Sequence, residues 1–175
     1  MWNKLLTASV FAFALLFVGT GFADQALSQK VQDKNGKYAV DFPADWKVSD
    51  GKDLGVDVVI QSPKPTKDNF TDNANLLTET LPMAMSPKDY FDRGLVDLKK
   101  FDGFKLVGTK ELDINGLKAI EAEYSYLYNG FRVNVLQYAV IKDKLAVILT
   151  FGADPEDYSN MKPTFQEIAK TLVVK

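Results

Sequence analysis

From Tyr38 to Phe42 apolar side chains alternate with Ala39 and Asp41, the period of two that marks a strand, and Pro43 stops it. Trp46 and Val48 open a second strand, and Val56 to Gln61 is a third β-rich run that ends in Ser62-Pro63-Lys64-Pro65. Its prolines, with Asp68 and Asn69, predict an exposed loop over Pro63 to Thr71, before an unevenly alternating strand over Ala74 to Leu81. Ser86-Pro87-Lys88-Asp89 has the capping residue, first-turn proline and acid spacing of a helix start. Phe91, Leu95, Leu98 and Phe101 continue it as an apolar stripe, weakened at Gly94 and ended by Asp102-Gly103. Strands return over Phe104 to Leu112, Ala119 to Tyr128, Phe131 to Ile141 and Leu145 to Phe151.

Asn115-Gly116 and Asn129-Gly130 are the pairs that two-residue primed hairpin turns prefer. The second fixes a register in which Tyr128, Tyr126 and Tyr124 face Phe131, Val133 and Val135. Leu145 to Phe151 is apolar on both faces, so it is expected at the centre of a sheet covered on each side. Tyr158, Met161, Phe165, Ile168 and Leu172 follow steps of 3, 4, 3 and 4, a closing helix. Pro163 is tolerated there if the helix begins near Ser159 and kinks it otherwise.

The N-terminal end reads differently. Lys4 precedes an apolar run from Leu5 to Val18, and Gly21-Phe22-Ala23 offers small residues at a cleavage site. The run is shorter than the ~20 residues a membrane span needs. It predicts a signal peptide over residues 1–23, then a polar, flexible segment over 24–37 containing the turn Asn35-Gly36, then one domain over 38–175. The mature chain is expected in the periplasm or secreted, soluble, with no stable membrane span. Without a cysteine it is not expected to be a lipoprotein.

The 175 residues carry 21 basic and 23 acidic side chains, a net charge of −2. There is no basic surplus with which to neutralise a nucleic acid, and none is expected as partner. The absence of cysteine and histidine excludes thiol chemistry and removes the usual general base and the commonest transition-metal ligand. No catalytic residue, cofactor or metal is therefore assigned. Glu121 and Glu123 share a strand face and could act as acid and base, though solvated carboxylates are the commoner outcome. Asp154, Glu156 and Asp157 carry the oxygen ligands of a hard-cation site, but Asp154-Pro155-Glu156 also begins a helix, with acids at its positive end. Asp68, Asn69, Asp72 and Asn73 lack the spacing of an EF-hand and read as turn chemistry. Tyr124, Tyr126 and Tyr128 read as core rather than a stacking surface. The opposite, mixed face, with Glu123, Arg132, Asn134 and Leu136, is the candidate partner-binding surface.

Tyr38-Ala39-Val40-Asp41-Phe42-Pro43 followed by Trp46 resembles the opening strand of PsbP-like domains. Gly55 to Val59, Asn73-Ala74-Asn75-Leu76, Ser86-Pro87-Lys88-Asp89-Tyr90 and Asn115 to Ala119 are similar to later strands, the first helix start and a hairpin of that family. The resemblance runs from Tyr38 to Leu172 and implies an α+β fold, an antiparallel sheet flanked by helices as an α/β/α sandwich. The family includes extrinsic photosystem subunits, envelope proteins such as DcrB and a nuclear-import factor that binds Ran. This chain lacks the histidine, basic N-terminal extension and lipid-anchor cysteine of photosynthetic members, so the envelope proteins are the nearer analogy. The expectation is an exported, non-enzymatic binding or accessory protein whose partner is another envelope protein. The alternatives are a photosystem II extrinsic subunit, which a photosynthetic source would favour, and a small carboxylate-dependent hydrolase, which needs Glu121 or Glu123 in a cleft.

Overall fold

The computed structural model describes residues 26–65 and 70–175, so the expected signal peptide and Asp68-Asn69 lie outside the described residues. The elements are β1 (Leu27–Gln32), β2 (Tyr38–Pro43), β3 (Lys47–Asp50), a 3₁₀ turn (Lys52–Leu54), β4 (Val58–Pro65), β5 (Thr71–Thr80), α1 (Pro87–Leu98), β6 (Lys105–Ile114), β7 (Leu117–Tyr128), β8 (Phe131–Lys142), β9 (Leu145–Ala153), α2 (Tyr158–Lys170) and β10 (Val173–Val174). A seven-stranded antiparallel sheet runs β3-β4-β5-β9-β8-β7-β6, and a three-stranded sheet runs β1-β2-β10.

Both asparagine-glycine turns are primed hairpins: φ is +50° and +83° at Asn115 and Gly116, and +50° and +84° at Asn129 and Gly130. The second sets Tyr128 opposite Phe131, Tyr126 opposite Val133 and Tyr124 opposite Val135. β9 lies between β5 and β8, and all but its first residue are buried. Its alternate side chains feed two cores. Val147, Leu149 and Phe151 face α2 and the small sheet, while Ala146 and Ile148 face α1. On the α2 side Phe165 stacks on Phe151 with centroids 4.6 Å apart, and Trp46 meets Phe165 edge-on. α1 begins as expected: Ser86 accepts the Asp89 N–H at 3.0 Å and its hydroxyl donates to the Asp89 carboxylate at 2.8 Å.

Three expectations need correction. The segment expected as a flexible lead-in forms β1, because Leu27, Gln29 and Val31 alternate inward and pair with β2, with Val31 buried. The turn after it is held by Asp33, whose carboxylate accepts the N–H groups of Asn35 and Lys37. The expected Pro63–Thr71 loop is shorter, since β4 continues to Pro65 and β5 starts at Thr71. The sheet is also not flanked by helices alone. α1 covers one face, and α2 shares the other with the small sheet, whose β10 pairs with β2 after the chain leaves α2. Pro163 sits inside α2, which continues through it.

Candidate functional site

The register brings the expected partner-binding residues together, Glu123 opposite Leu136 and Ser125 opposite Asn134, but α2 lies over that face. Leu136 is fully buried in the core with Met161 and Phe165, so it is no part of an open surface. Glu123 accepts from Lys162 of α2 at 2.8 Å, and Asn134 is half-buried. Arg132 is exposed, yet its guanidinium donates to the Gly103 carbonyl at 3.2 Å and the Ser125 hydroxyl at 3.1 Å. It ties the turn after α1 to the sheet. The sequence missed this because an apolar stripe says that a helix packs, not which sheet face receives it.

The two candidate acids are engaged as acceptors. The Tyr138 hydroxyl donates to Glu121 at 2.6 Å, and Lys162 holds Glu123. Burial and the Glu123 charge push the Tyr158 phenol well above its usual range. This is a knot that pins α2 to β7 and β8, with both carboxylates engaged by donors. Asp154 behaves as a helix-start residue, its Oδ1 accepting from Glu156 N–H at 2.7 Å and Asp157 N–H at 3.0 Å. Among the described residues no group of three acids is spaced to hold a metal ion.

A cavity lies elsewhere, where the two sheets meet. β1 and β3 are edge strands of different sheets, and between them opens a recess of about 620 Å³. Val31, Tyr38, Val48, Val56 and Val58 form its apolar walls, and Lys30, Asp33, Lys34, Ser49, Asp50 and Lys52 form its rim. Both strands border it with one edge unpaired within its sheet. The wall depends on Gly51, where a Cβ would lie 2.4 Å from Val56 Cγ2. Asp50 binds the Lys52 ammonium at 3.3 Å and that of Lys34, from the turn after β1, at 3.9 Å, so these charges cross one end of the mouth. The Lys52 backbone and side-chain hydrogen bonds hold the Asp50 carboxyl below its usual range. Deeper in, burial and then the Asp57 and Asp33 charges raise the Tyr38 phenol above its normal range. Asp57 is also raised, by burial against the opposing hydrogen bonds of Thr78.

Ser49 and Lys52 have the Ser-x-x-Lys spacing that some acyl-transfer enzymes use for nucleophile and base. Here the Lys52 ammonium is solvent-exposed and engaged in an ion pair with Asp50, and no hydrogen bond joins it to Ser49. What the recess can do is bind. Its volume suits a ligand or a peptide side chain, its walls offer apolar burial, and its flanking strands offer backbone hydrogen bonds.

A model of the Lpp-LpqN family, described as probable lipoprotein LpqN, matches residues 25–175. No curated protein matches the sequence significantly. Among solved structures, the solution structure of cyanobacterial PsbP (CyanoP) from Synechocystis sp. PCC 6803 is similar with a TM-score of 0.65 at 19% identity, over 90% of this chain and 99% of that one. LpqN of Mycobacterium tuberculosis, described as involved in cell envelope biogenesis, gives 0.63 at 18% identity, over 84% and 90% of the two chains. PA94 of Pseudomonas aeruginosa, of unknown function and described as a putative regulator, gives 0.61 at 17%, over 84% and 96%. Identities this low establish the fold alone. That fold is PsbP-like, as the motifs from Tyr38 onward imply.

Proposed function

The chain belongs to the Lpp-LpqN family, and we propose that it is an exported, non-catalytic binding protein of the cell envelope that holds an extended segment of another envelope protein. The observation that carries this is the recess of about 620 Å³ between the edge strands β1 and β3. An extended peptide laid there adds to a sheet edge through its backbone and places alternate side chains against Val31, Val48 and Val56. The envelope setting follows from the family and from the description of the mycobacterial LpqN. The family's descriptive name is that of lipoproteins, and this chain has no cysteine to carry a thioether-linked lipid. No helix among the described residues is long and apolar enough to cross a membrane. Against the hydrolase alternative, Glu121 and Glu123 are each held by a donor.

The test places a photo-cross-linking amino acid at Val48, on β3 beside the recess, and at Val96, exposed on α1 across the molecule. Irradiation in intact cells is expected to give a discrete protein adduct at Val48 and none at Val96. The adduct should be lost when Val31→Lys charges the recess wall in a protein whose melting curve shows it folded. Equal adducts at both positions, or none at Val48, remove the recess as the binding site.

A further inference from the structure

A second recess, of about 530 Å³, opens around the β8–β9 turn and is lined by Lys37, Thr80, Lys142, Lys144 and Lys175, with Asp143 as the acid among its lining side chains. Three separate parts of the chain deliver the lysines, and backbone bonds fix two of the junctions. The Lys175 N–H donates to the Lys37 carbonyl at 2.9 Å, and the Leu81 N–H donates to the Lys144 carbonyl at 2.7 Å. Asp143 takes a φ of +57° in the tight turn that sets Lys142 and Lys144 on either side of it.

Elsewhere part of the surface pairs its charges. Lys34, Lys52, Lys88, Lys100, Lys162 and Lys170 each hold a carboxylate. Among the described residues Lys37, Lys142, Lys144 and Lys175 hold none; Lys30, Lys47, Lys99, Lys105, Lys110 and Lys118 are likewise unpaired, but only the first four line this hollow, in a chain that is net acidic. Four ammonium groups against the single side-chain carboxylate of Asp143 leave a surplus of positive charge round one hollow, which an anion seated there would offset. Ammonium groups serve as point charges for phosphate, with the Thr80 hydroxyl available as a further donor.

We propose that this lysine-lined recess binds a phosphate group, carried by a soluble phosphate or by a phospholipid headgroup. The site is independent of the peptide recess, and either can fail without the other.

The full-length protein is titrated with inorganic pyrophosphate by calorimetry, and separately sedimented with vesicles of phosphatidylcholine containing phosphatidylglycerol or with phosphatidylcholine alone. Binding to at least one phosphate probe is expected, weakening as salt rises. The double variant Lys142→Gln/Lys144→Gln should lose at least tenfold in affinity, and Lys142→Arg/Lys144→Arg should keep it. The control Lys99→Gln/Lys105→Gln removes the same charge at the far end of the sheet and should bind as the parent does. Pyrophosphate binding alone assigns a soluble ligand, and vesicle binding that needs phosphatidylglycerol assigns a headgroup. Lys37→Gln, outside the β8–β9 turn, tests the site again if the double variant does not fold. No binding to any probe, or an equal loss in the far-end control, overturns the proposal.

Discussion

Asp72→Asn should change the pH dependence of stability more than any other single carboxylate replacement. Asp72 lies near the start of β5 and is 3% exposed. Its carboxylate accepts the Asp154 N–H, and one oxygen, Oδ1, has no hydrogen-bond partner. Burial, then the charges of Asp157 and Asp154, raise its pKa from 3.8 to about 8. In the native state it therefore carries a proton over a range in which the unfolded chain has lost it. Stability from this group is complete below pH ~4, declines by about 1.4 kcal/mol per pH unit, and levels once pH passes the native value. Between pH 4 and 7 the full linkage is about 4 kcal/mol, and local relaxation with water entry brings the expected loss to about 2–4 kcal/mol. Asparagine keeps the oxygen that accepts from Asp154 and does not titrate. Urea unfolding of both proteins at pH 5, 6, 7 and 8 should show the variant gaining on the parent at each step. Asp57, also raised by burial, is present in both proteins and cancels. Parallel curves, with one constant difference at every pH, would refute the placement of Asp72 in a dry acidic corner.

Gly51→Ala should cost about 1–3 kcal/mol through overpacking, because the new methyl meets Val56 Cγ2 at 2.4 Å and the Val56 carbonyl at 2.9 Å. Val56→Ala in the same chain should recover only part of the loss in a denaturant melt, since the carbonyl clash stays. Gly130→Val forces a β-branched residue to a φ of +84° and should cost about 1–3 kcal/mol; a melt unchanged from the parent would mean that the β7–β8 turn is misassigned. Phe165→Ala removes a fully buried ring from Phe151 and Trp46 and should cost about 3–5 kcal/mol, with dye binding reporting the apolar face that α2 uncovers.

The hairpins were legible because their signal is local. Two asparagine-glycine pairs demand positive φ, and the register follows by counting residues outward from the turn. β9 was legible because an unbroken apolar run has one common explanation, a strand covered on both faces. β1 was not, because its inward series is Leu27, Gln29 and Val31, and a glutamine in the middle hides a period of two in a strand of only six residues. β10 is shorter still, and its pairing with β2 is made by a chain end more than a hundred residues away.

The same distinction explains why the cover over part of the candidate face was not foreseen. Glu123, Arg132, Asn134 and Leu136 share a strand face, which sequence can show; that α2 closes over it depends on the path of the chain after β9. Each recess is built from pieces with no common period. Val31 belongs to one sheet, Val48 and Val56 to the edge of the other, and the Gly51 wall works only because nothing projects from its Cα. The lysines of the second recess stand at a hairpin tip, a turn and the last described residue, each unremarkable alone. A patterned face can be read from one segment, whereas a concave site needs several segments placed in space. In this chain the patterned faces build the core, and the recesses proposed for binding lie at the seam between the two sheets and around the turns.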